Sequence, residues 1–335
     1  MTVMRVAFLG FGNVGRALHA LLERRRESLA RDHGIECIVS GVGSRRLGWR
    51  ADALGIDPRQ PAGRVCDDLR EWLAVSRAGV VFEAIPLDPH GGQPALDYLR
   101  IALECGAHAI SANKGPLVHG YHELARLAAA RGVHYRFESA VMDGAPVFSL
   151  ARDCLPAAGL HAVRGVFTST ATVVLEAVER GLSFADGIAE AQRLGIAEAD
   201  PSHDVDGWDS AVKLCAVGNV LLGGRLRPAD VAREGIRTLG AEAIRRAAAA
   251  GEPYRLVGEV RRDAGGTVAA RVAPLRCAVD GPLGVVHGAT LVMHYEAEVF
   301  PGGLTVTSRD PDPTTTAYGM LADLIGVMRS ERRSG

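Results

Sequence analysis

Lysine is almost missing from this chain. Of its 38 Lys and Arg residues only Lys114 and Lys213 are lysine, and all the others are arginine. An ammonium can release its proton when its surroundings demand it, whereas a guanidinium effectively cannot. Two lysines kept against such a background are therefore candidates for positions that need a compact or titratable cation. A net charge of either sign is lacking too. The 38 basic residues face 39 acidic ones, leaving a formal charge of -1 and no global attraction for nucleic acid or an anionic membrane. No apolar run approaches the ~18 residues that a membrane span needs, and residues 1–10 run into a strand rather than a signal peptide. The expectation is a cytoplasmic protein with no membrane and no nucleic-acid partner. The six cysteines (Cys37, Cys66, Cys105, Cys154, Cys215 and Cys277) lie tens of residues apart with no CxxC pair. That excludes the usual zinc spacings and argues against a disulfide scaffold, leaving reduced and mostly buried thiols.

What the chain does have is core-forming material: 47% of its 335 residues are apolar and 23% charged, as in an ordinary globular protein. At ~150 residues per domain this length suggests two domains or one large one. In the first half, short apolar runs at 5–10, 35–42, 80–85, 107–112 and 133–137 read as strands. Helical patterns at 14–31, 68–77, 94–104 and 121–131 separate them. Such alternation predicts a parallel sheet wrapped on both faces. The second half predicts helices at 171–180, 183–194 and 209–222, the second opened by Ser183 and Asp186 at capping-box spacing. Runs at 254–260, 267–272 and 290–299 read as antiparallel strands; a last helix covers 314–328 and a loose tail follows. The expected fold class is α/β, with a Rossmann-type nucleotide-binding domain over 1–140. An α+β substrate and dimerisation domain follows over 141–312, and a helix over 313–328 packs back toward the first domain.

Gly10-Phe11-Gly12-Asn13-Val14-Gly15 stands between the first strand and the first helix. There the glycines have mechanical uses: a tight turn, close approach of backbone to a pyrophosphate, and close helix–strand packing. The helix N-terminus adds amide N–H groups and partial positive charge for the phosphates. An acid at the end of the second strand would bond a ribose 2′-hydroxyl and repel a 2′-phosphate. Here the sequence reads Gly43-Ser44-Arg45-Arg46, with no acid until Asp52. A hydroxyl and two guanidiniums suit a 2′-phosphate, so NADP(H) is the expected cofactor, with NAD(H) as the alternative.

Two further segments carry chemistry. Ser111-Ala112-Asn113-Lys114-Gly115-Pro116-Leu117 sits just past the fourth strand of the expected parallel sheet, where ligands of open α/β sheets bind. The segment 195–213 holds Glu198, Asp200, Asp204, Asp206 and Asp209 ahead of Lys213. Asp209 and Lys213 are four apart, on one helix face. This acidic loop suits a substrate bearing an ammonium group, and it equally suits a solvated loop before a helix.

These segments resemble homoserine dehydrogenase. The likeness runs from GFGNVG through SANKGPL and FESAVMDGAPVF to GLSFADGIAEAQRLGIAEADPSHDVDGWDSAVKL, and it covers most of the chain at the size of the form without a regulatory ACT domain. The resemblance implies an oxidoreductase that interconverts L-homoserine and L-aspartate 4-semialdehyde by hydride transfer, working as a homodimer in amino-acid biosynthesis. By position it places Glu198 and Asp209 on the substrate amino group with Asp204 in support, and Lys213 as the proton-transferring group. Lys114 polarises the reacting oxygen or orients substrate and cofactor, and Ser111 and Gly195 lie near the cofactor. Glu138, with main-chain oxygens at Val141, Asp143 and Ala145, matches a structural monovalent-cation (Na+) loop. The chain departs from the family at Thr168-Ser169-Thr170-Ala171-Thr172, where a segment resembling NGTTN is usual, and at Asp143, where a small residue is usual. Two other readings stay open: the same chemistry on a different hydroxy or amino-acid alcohol, and a nucleotide-binding regulator without turnover.

If Arg45 and Arg46 read a 2′-phosphate, replacing both with neutral residues will raise the apparent KM for NADP tenfold or more and leave that for NAD nearly unchanged. The size follows from ~1.5–3 kcal/mol for each charge-assisted hydrogen bond. Steady-state kinetics with both cofactors decides, and equal effects would remove the two arginines from cofactor choice.

Overall fold

The computed structural model describes residues 1–334. They form two compact units, one from residues 1–145 together with Asp312 onward, the other from residues 146–311. The first unit runs β1 (Thr2–Leu9), α1 (Asn13–Arg24), α2 (Arg26–His33), β2 (Ile35–Ser44), β3 (Gly48–Ala51) and β4 (Arg64–Cys66). It continues with α3 (Leu69–Ser76), β5 (Val80–Glu83), α4 (Ala95–Glu104), β6 (His108–Ser111), α5 (Gly115–His119), α6 (Tyr121–Arg131), β7 (Tyr135–Arg136) and α7 (Ser139–Met142). Its seven-stranded sheet has the order β4-β3-β2-β1-β5-β6-β7. Strands β2, β1, β5, β6 and β7 pair in parallel, while β3 and β4 add an antiparallel edge. The chain moves outward from β1 in both directions, so the switch point lies between β1 and β5.

Alternation along β1 shows why both faces are covered. Val6 and Phe8 join the cluster that holds Leu18, Leu21 and Leu22 of α1, while Ala7 and Leu9 join the opposite one with Leu69, Trp72 and Leu73 of α3. Successive strand residues point to opposite faces, and an apolar residue at each position demands a helix on each side.

The second unit contains β8 (Leu160–Val166), α8 (Ser169–Glu179), α9 (Phe184–Arg193), α10 (Ser202–Val205), α11 (Trp208–Leu221) and β9 (Ala232–Arg233). After these come α12 (Ala241–Ala249), β10 (Tyr254–Arg262), β11 (Val268–Arg276), β12 (Leu291–Ala297) and β13 (Phe300–Ser308). The six-stranded sheet has the order β13-β12-β8-β10-β11-β9 and is antiparallel except for the short β9–β11 pair. Helices α8, α11 and α12 pack on it. At its centre Gly165 and Gly258 are register partners, and a Cβ on either would meet the Phe167 ring at 2.6 and 3.0 Å. The two glycines leave the space that this ring fills.

The chain then returns to the first unit as α13 (Pro313–Ser334), which packs on α1 and places Ala317, Met320, Leu321, Leu324 and Met328 against Val6 and Phe8.

The structure differs from the sequence expectations in several places, among them α12 and β13, neither of which was expected. The helix expected over 14–31 breaks at Arg25, inside a run of three arginines, and restarts as α2. Strand β2 continues past residue 42 and folds back as β3. Strand β8, with Arg164 and Gly165 interrupting its apolar pattern, was not expected. The tail expected from Met328 is helical to Ser334. Arg332 Nη2 donates to the Gly34 carbonyl at 2.9 Å and Glu331 lies 3.5 Å from His134 Nε2, which hold the last turns in place. The capping box at Ser183 and Asp186 is present as expected.

Leu324 is fully buried in the cluster that α13 completes. Leu324→Ala should therefore cost about 2–5 kcal/mol, the range for truncating a buried leucine. Denaturant titration checks this; a loss below about 1 kcal/mol would show that α13 is not part of that core.

Candidate active site

The first unit builds a nucleotide cradle at the switch point, where open α/β sheets bind their ligands. Gly10 adopts φ +91°, and a Cβ there would lie 2.6 Å from the Ala84 carbonyl oxygen at the end of β5. A Cβ on Gly15 would lie 2.7 Å from the Gly10 carbonyl, so helix and turn touch backbone to backbone. The Gly12 Cβ position is open, and no side chain caps the N-terminus of α1 that Gly12 begins. Its first amides thus point outward beside positive dipole, as an anion requires. Arg16 braces the turn, donating to the Phe11 carbonyl at 3.1 Å and to Asn13 Oδ1 at 2.8 Å; Val14 is half-buried in the first turn of α1.

Ser44 closes β2, and its hydroxyl accepts from the Leu47 N–H at 3.1 Å, shaping the tight link to β3. Arg45 and Arg46 stand exposed at the tip of this link, and among the described residues neither is in an ion pair. The first acid beyond them, Asp52, is committed to its own turn, accepting from the Leu54 N–H at 2.8 Å.

At the ends of β5 and β6 a buried polar group appears that the sequence reading did not single out. The Glu83 carboxyl accepts from Ser111 Oγ at 2.5 Å, the Ile85 N–H at 2.9 Å and Asn113 Nδ2 at 3.3 Å. Burial pushes this carboxyl above its ordinary range, while the three hydrogen bonds pull it back. Its signal in the sequence is one acid closing the apolar strand Val80–Glu83. Lys114 follows Asn113 directly and heads α5.

The second unit gathers the other chemistry. Lys213 Nζ donates to the Phe167 carbonyl at 2.7 Å and pairs with Asp209 Oδ2 at 2.9 Å, one turn earlier on α11. Only 14% of the Lys213 side chain is exposed, so this pair is screened far less than a surface one. Thr170 Oγ1 donates to Asp204 Oδ2 at 2.6 Å, which brings the divergent Thr168–Thr172 segment onto the acidic loop. Burial raises the Asp204 carboxyl above its ordinary value and the Asp209 charge adds to that rise; the Thr170 hydroxyl and Lys213 oppose it, with a smaller contribution from Thr168.

The rest of the expected cluster disperses. Asp200 accepts from the Ser202 N–H at 3.0 Å, and Asp206 pairs with Arg237 at 2.8 Å. Glu198 is exposed; its carbonyl accepts from Gln192 Nε2 at 3.1 Å, while its carboxylate makes no hydrogen bond or ion pair among the described residues. Gly195 follows the end of α9 at φ +71°.

In the first unit, Glu138 is buried at the head of α7, and its N–H donates to Asp323 Oδ2 at 2.8 Å. The following turn contains buried Val141, Asp143 at φ +50°, and Ala145, whose N–H donates to the Met142 carbonyl at 3.0 Å.

Comparison with known proteins names this arrangement. The homoserine dehydrogenase family profile matches residues 146–325, and the profile of the homoserine dehydrogenase NAD-binding domain matches residues 10–138. The chain belongs to the homoserine dehydrogenase family. It is similar to the NAD(+)-dependent homoserine dehydrogenase of Pseudomonas canavaninivorans, at 34% identity over 99% of this chain and 98% of that one. It is also similar to the homoserine dehydrogenase of Methanocaldococcus jannaschii, at 28% identity over 98% of this chain and 100% of the other. Among solved structures, a homoserine dehydrogenase from Thiobacillus denitrificans superposes with a TM-score of 0.85 at 28% identity, covering 99% of this chain and 75% of that one. The resemblance seen in GFGNVG, SANKGPL and the AEADP segment is thus borne out, as are the expected fold class and nicotinamide-binding domain. No helix among the described residues is long and apolar enough to cross a membrane.

The Asp204 geometry sets a pH dependence. A carboxyl whose folded pKa lies above its unfolded value favours the fold while protonated, and that stability is lost as pH rises from the unfolded pKa through the folded one. Thr170→Val removes a donor to the carboxylate and moves the folded pKa further up. If Asp204 must be ionised for turnover, the acid limb of the pH–rate profile shifts to higher pH with the alkaline limb unmoved. An unshifted acid limb would detach Asp204 from activity.

Proposed function

We propose that this member of the family interconverts L-homoserine and L-aspartate 4-semialdehyde. The observation that carries the reading is Lys213, a largely buried ammonium held between the Asp209 carboxylate and the Phe167 carbonyl on the segment with the family's register. A nicotinamide nucleotide, when bound, supplies or accepts the hydride. Gly10, Gly12, Asn13, Val14 and Gly15, with the amides of the α1 N-terminus, hold its pyrophosphate, and Ser111 and Gly195 contribute to its binding. Ser44, Arg45 and Arg46 favour NADP(H), with NAD(H) also accepted. The Pseudomonas relative is named for NAD(+), so the cofactor is where this chain is expected to differ from it.

Toward the substrate, Asp209 and Glu198 take the ammonium group and Asp204 supports them from the Thr170 hydroxyl. Glu198 is exposed, with its carboxylate open to a ligand. Lys114 polarises the reacting oxygen. Lys213 gives a proton to that oxygen during reduction and takes one during oxidation. The Asp209 carboxylate, 2.9 Å away, holds the Lys213 ammonium in place for that exchange.

Glu138, with the main-chain oxygens of Val141, Asp143 and Ala145, would supply the oxygen ligands that a hard cation such as Na+ takes. The chain acts as a homodimer. The second sheet ends on β13, an edge strand beside exposed Val299 and Phe300, and an unpaired edge invites a partner. Six free cysteines accord with a reducing, cytoplasmic setting.

Lys213→Arg keeps the charge and most of a salt bridge but cannot donate or accept a proton at working pH. General acid–base catalysis is typically worth ~10²–10⁴, so kcat with homoserine should fall by about that factor. Nucleotide affinity, read by fluorescence of the reduced cofactor, should stay near wild type. Nearly full turnover by this variant would leave Lys213 without the proton-transfer role.

A further inference from the structure

We infer that Glu83 is a positioning residue: through Ser111 and Asn113, its carboxyl group sets the turn that carries Lys114 out of the sheet. The inference rests on the proposed role of Lys114 for its functional meaning, and on geometry for the rest. Glu83 is the last residue of β5, in register with Leu9 on one side and Ser111 on the other. Leu9 precedes Gly10, so Glu83 lies directly beneath the switch-point crevice. It is wholly buried.

A buried carboxyl needs its oxygens satisfied, and here two of its three donors come from one loop. Ser111 Oγ and Asn113 Nδ2 belong to the Lys114 turn, and only the Ile85 N–H comes from Glu83's own strand end. The turn is wired further onto itself. The Asn113 N–H donates to Ser111 Oγ at 3.0 Å, and Asn113 Oδ1 accepts from the Gly115 N–H at 2.9 Å. The Asn113 amide is therefore held at both ends, its nitrogen toward Glu83 and its oxygen toward Gly115. Both chain neighbours of Lys114 are tied in this way to a single buried group.

Packing alone does not call for an acid at this place. Val80, Val81 and Phe82 before it are fully buried and apolar, and a well-packed apolar side chain is often as good as or better than a buried ionisable one. A carboxyl whose partners converge on one turn makes sense if that turn must hold its direction, because a reacting group misplaced by about 1 Å can lose its effect.

The scarcity of lysine gives a direct test. Acylation of the intact protein with an amine reagent, followed by peptide mass spectrometry, reads Lys114 and Lys213 separately in one sample. In Glu83→Leu and in Asn113→Ala, Lys114 should be labelled at least threefold faster than in wild type, with Lys213 unchanged as the internal reference. Glu83→Leu strands buried donors, and if it does not fold, Asn113→Ala decides the matter alone. In Asn113→Ala, which leaves the Ser111 bond to Glu83 in place, kcat should fall at least tenfold while the Kd for reduced cofactor stays within threefold, a split that general loosening of the domain would not produce. Added to Lys114→Ala, neither substitution should lower kcat further, since residues acting through a third lose their effect once it is gone. Unchanged labelling of Lys114 in a folded variant, or full additivity with Lys114→Ala, would overturn the inference. The labelling arm does not depend on the substrate: a chain that labels as expected but ignores homoserine refutes the proposed reaction and keeps the Glu83 role, and the opposite result does the reverse.

Discussion

A lysine ammonium largely withdrawn from water must be met by oxygen atoms at fixed places, and much of the second unit answers that demand at Lys213. Two of its partners come from different elements. Asp209 lies one turn earlier on α11, and the Phe167 carbonyl lies at the exit of β8. That carbonyl is placed because the Phe167 ring seats on Gly165 and Gly258, a cross-strand pair whose missing side chains provide the space. The charge at Lys213 is thus located by a packing decision in the sheet. An exposed ion pair contributes little and wanders among rotamers; one that is mostly buried and shares its cation with a main-chain oxygen has far less freedom.

The acidic loop shows the same economy of means. Five carboxylates precede Lys213, and the fold uses them differently. Asp209 meets the ammonium and Asp204 is half-buried on a threonine hydroxyl, whereas Asp200 caps a turn and Asp206 answers an arginine. Sequence spacing brought all five into view together; only the path of α10 and the start of α11 separates them.

Much of the first unit was legible because its signals are local. The glycine turn lies between an apolar run and an amphipathic one, and the helices on either face follow from apolar residues at successive positions of β1. The antiparallel edge of β3 and β4 was not legible: Trp49 and Val65 alternate with polar residues over too few positions to read as strands. Strand β8 was hidden by Arg164 and Gly165, which are sensible only once β10 and β12 flank them. The site divides along the same line. Lys114, Lys213 and the glycines stood out by residue type and context, whereas Glu83 is one acid after an apolar run, and its meaning comes from partners 28 and 30 residues further on. The Thr168–Thr172 segment read as a departure from the family; its Thr170 proves to be the residue that holds Asp204.

The return of α13 to the first unit has a consequence for how the protein is made. Residues 1–145 emerge from the ribosome with Val6 and Phe8 on a sheet face whose cover by Leu321 and Leu324 has not yet been synthesised. The second unit is continuous in sequence and has all its strands once Pro311 is out. Vectorial synthesis therefore inverts the order that the chain's numbering suggests: the nucleotide-binding unit begins first and is completed last. Until then its unfinished face must be shielded by slow elongation, by a chaperone or by transient non-native contacts, because apolar surface exposed in this way is where nascent chains aggregate.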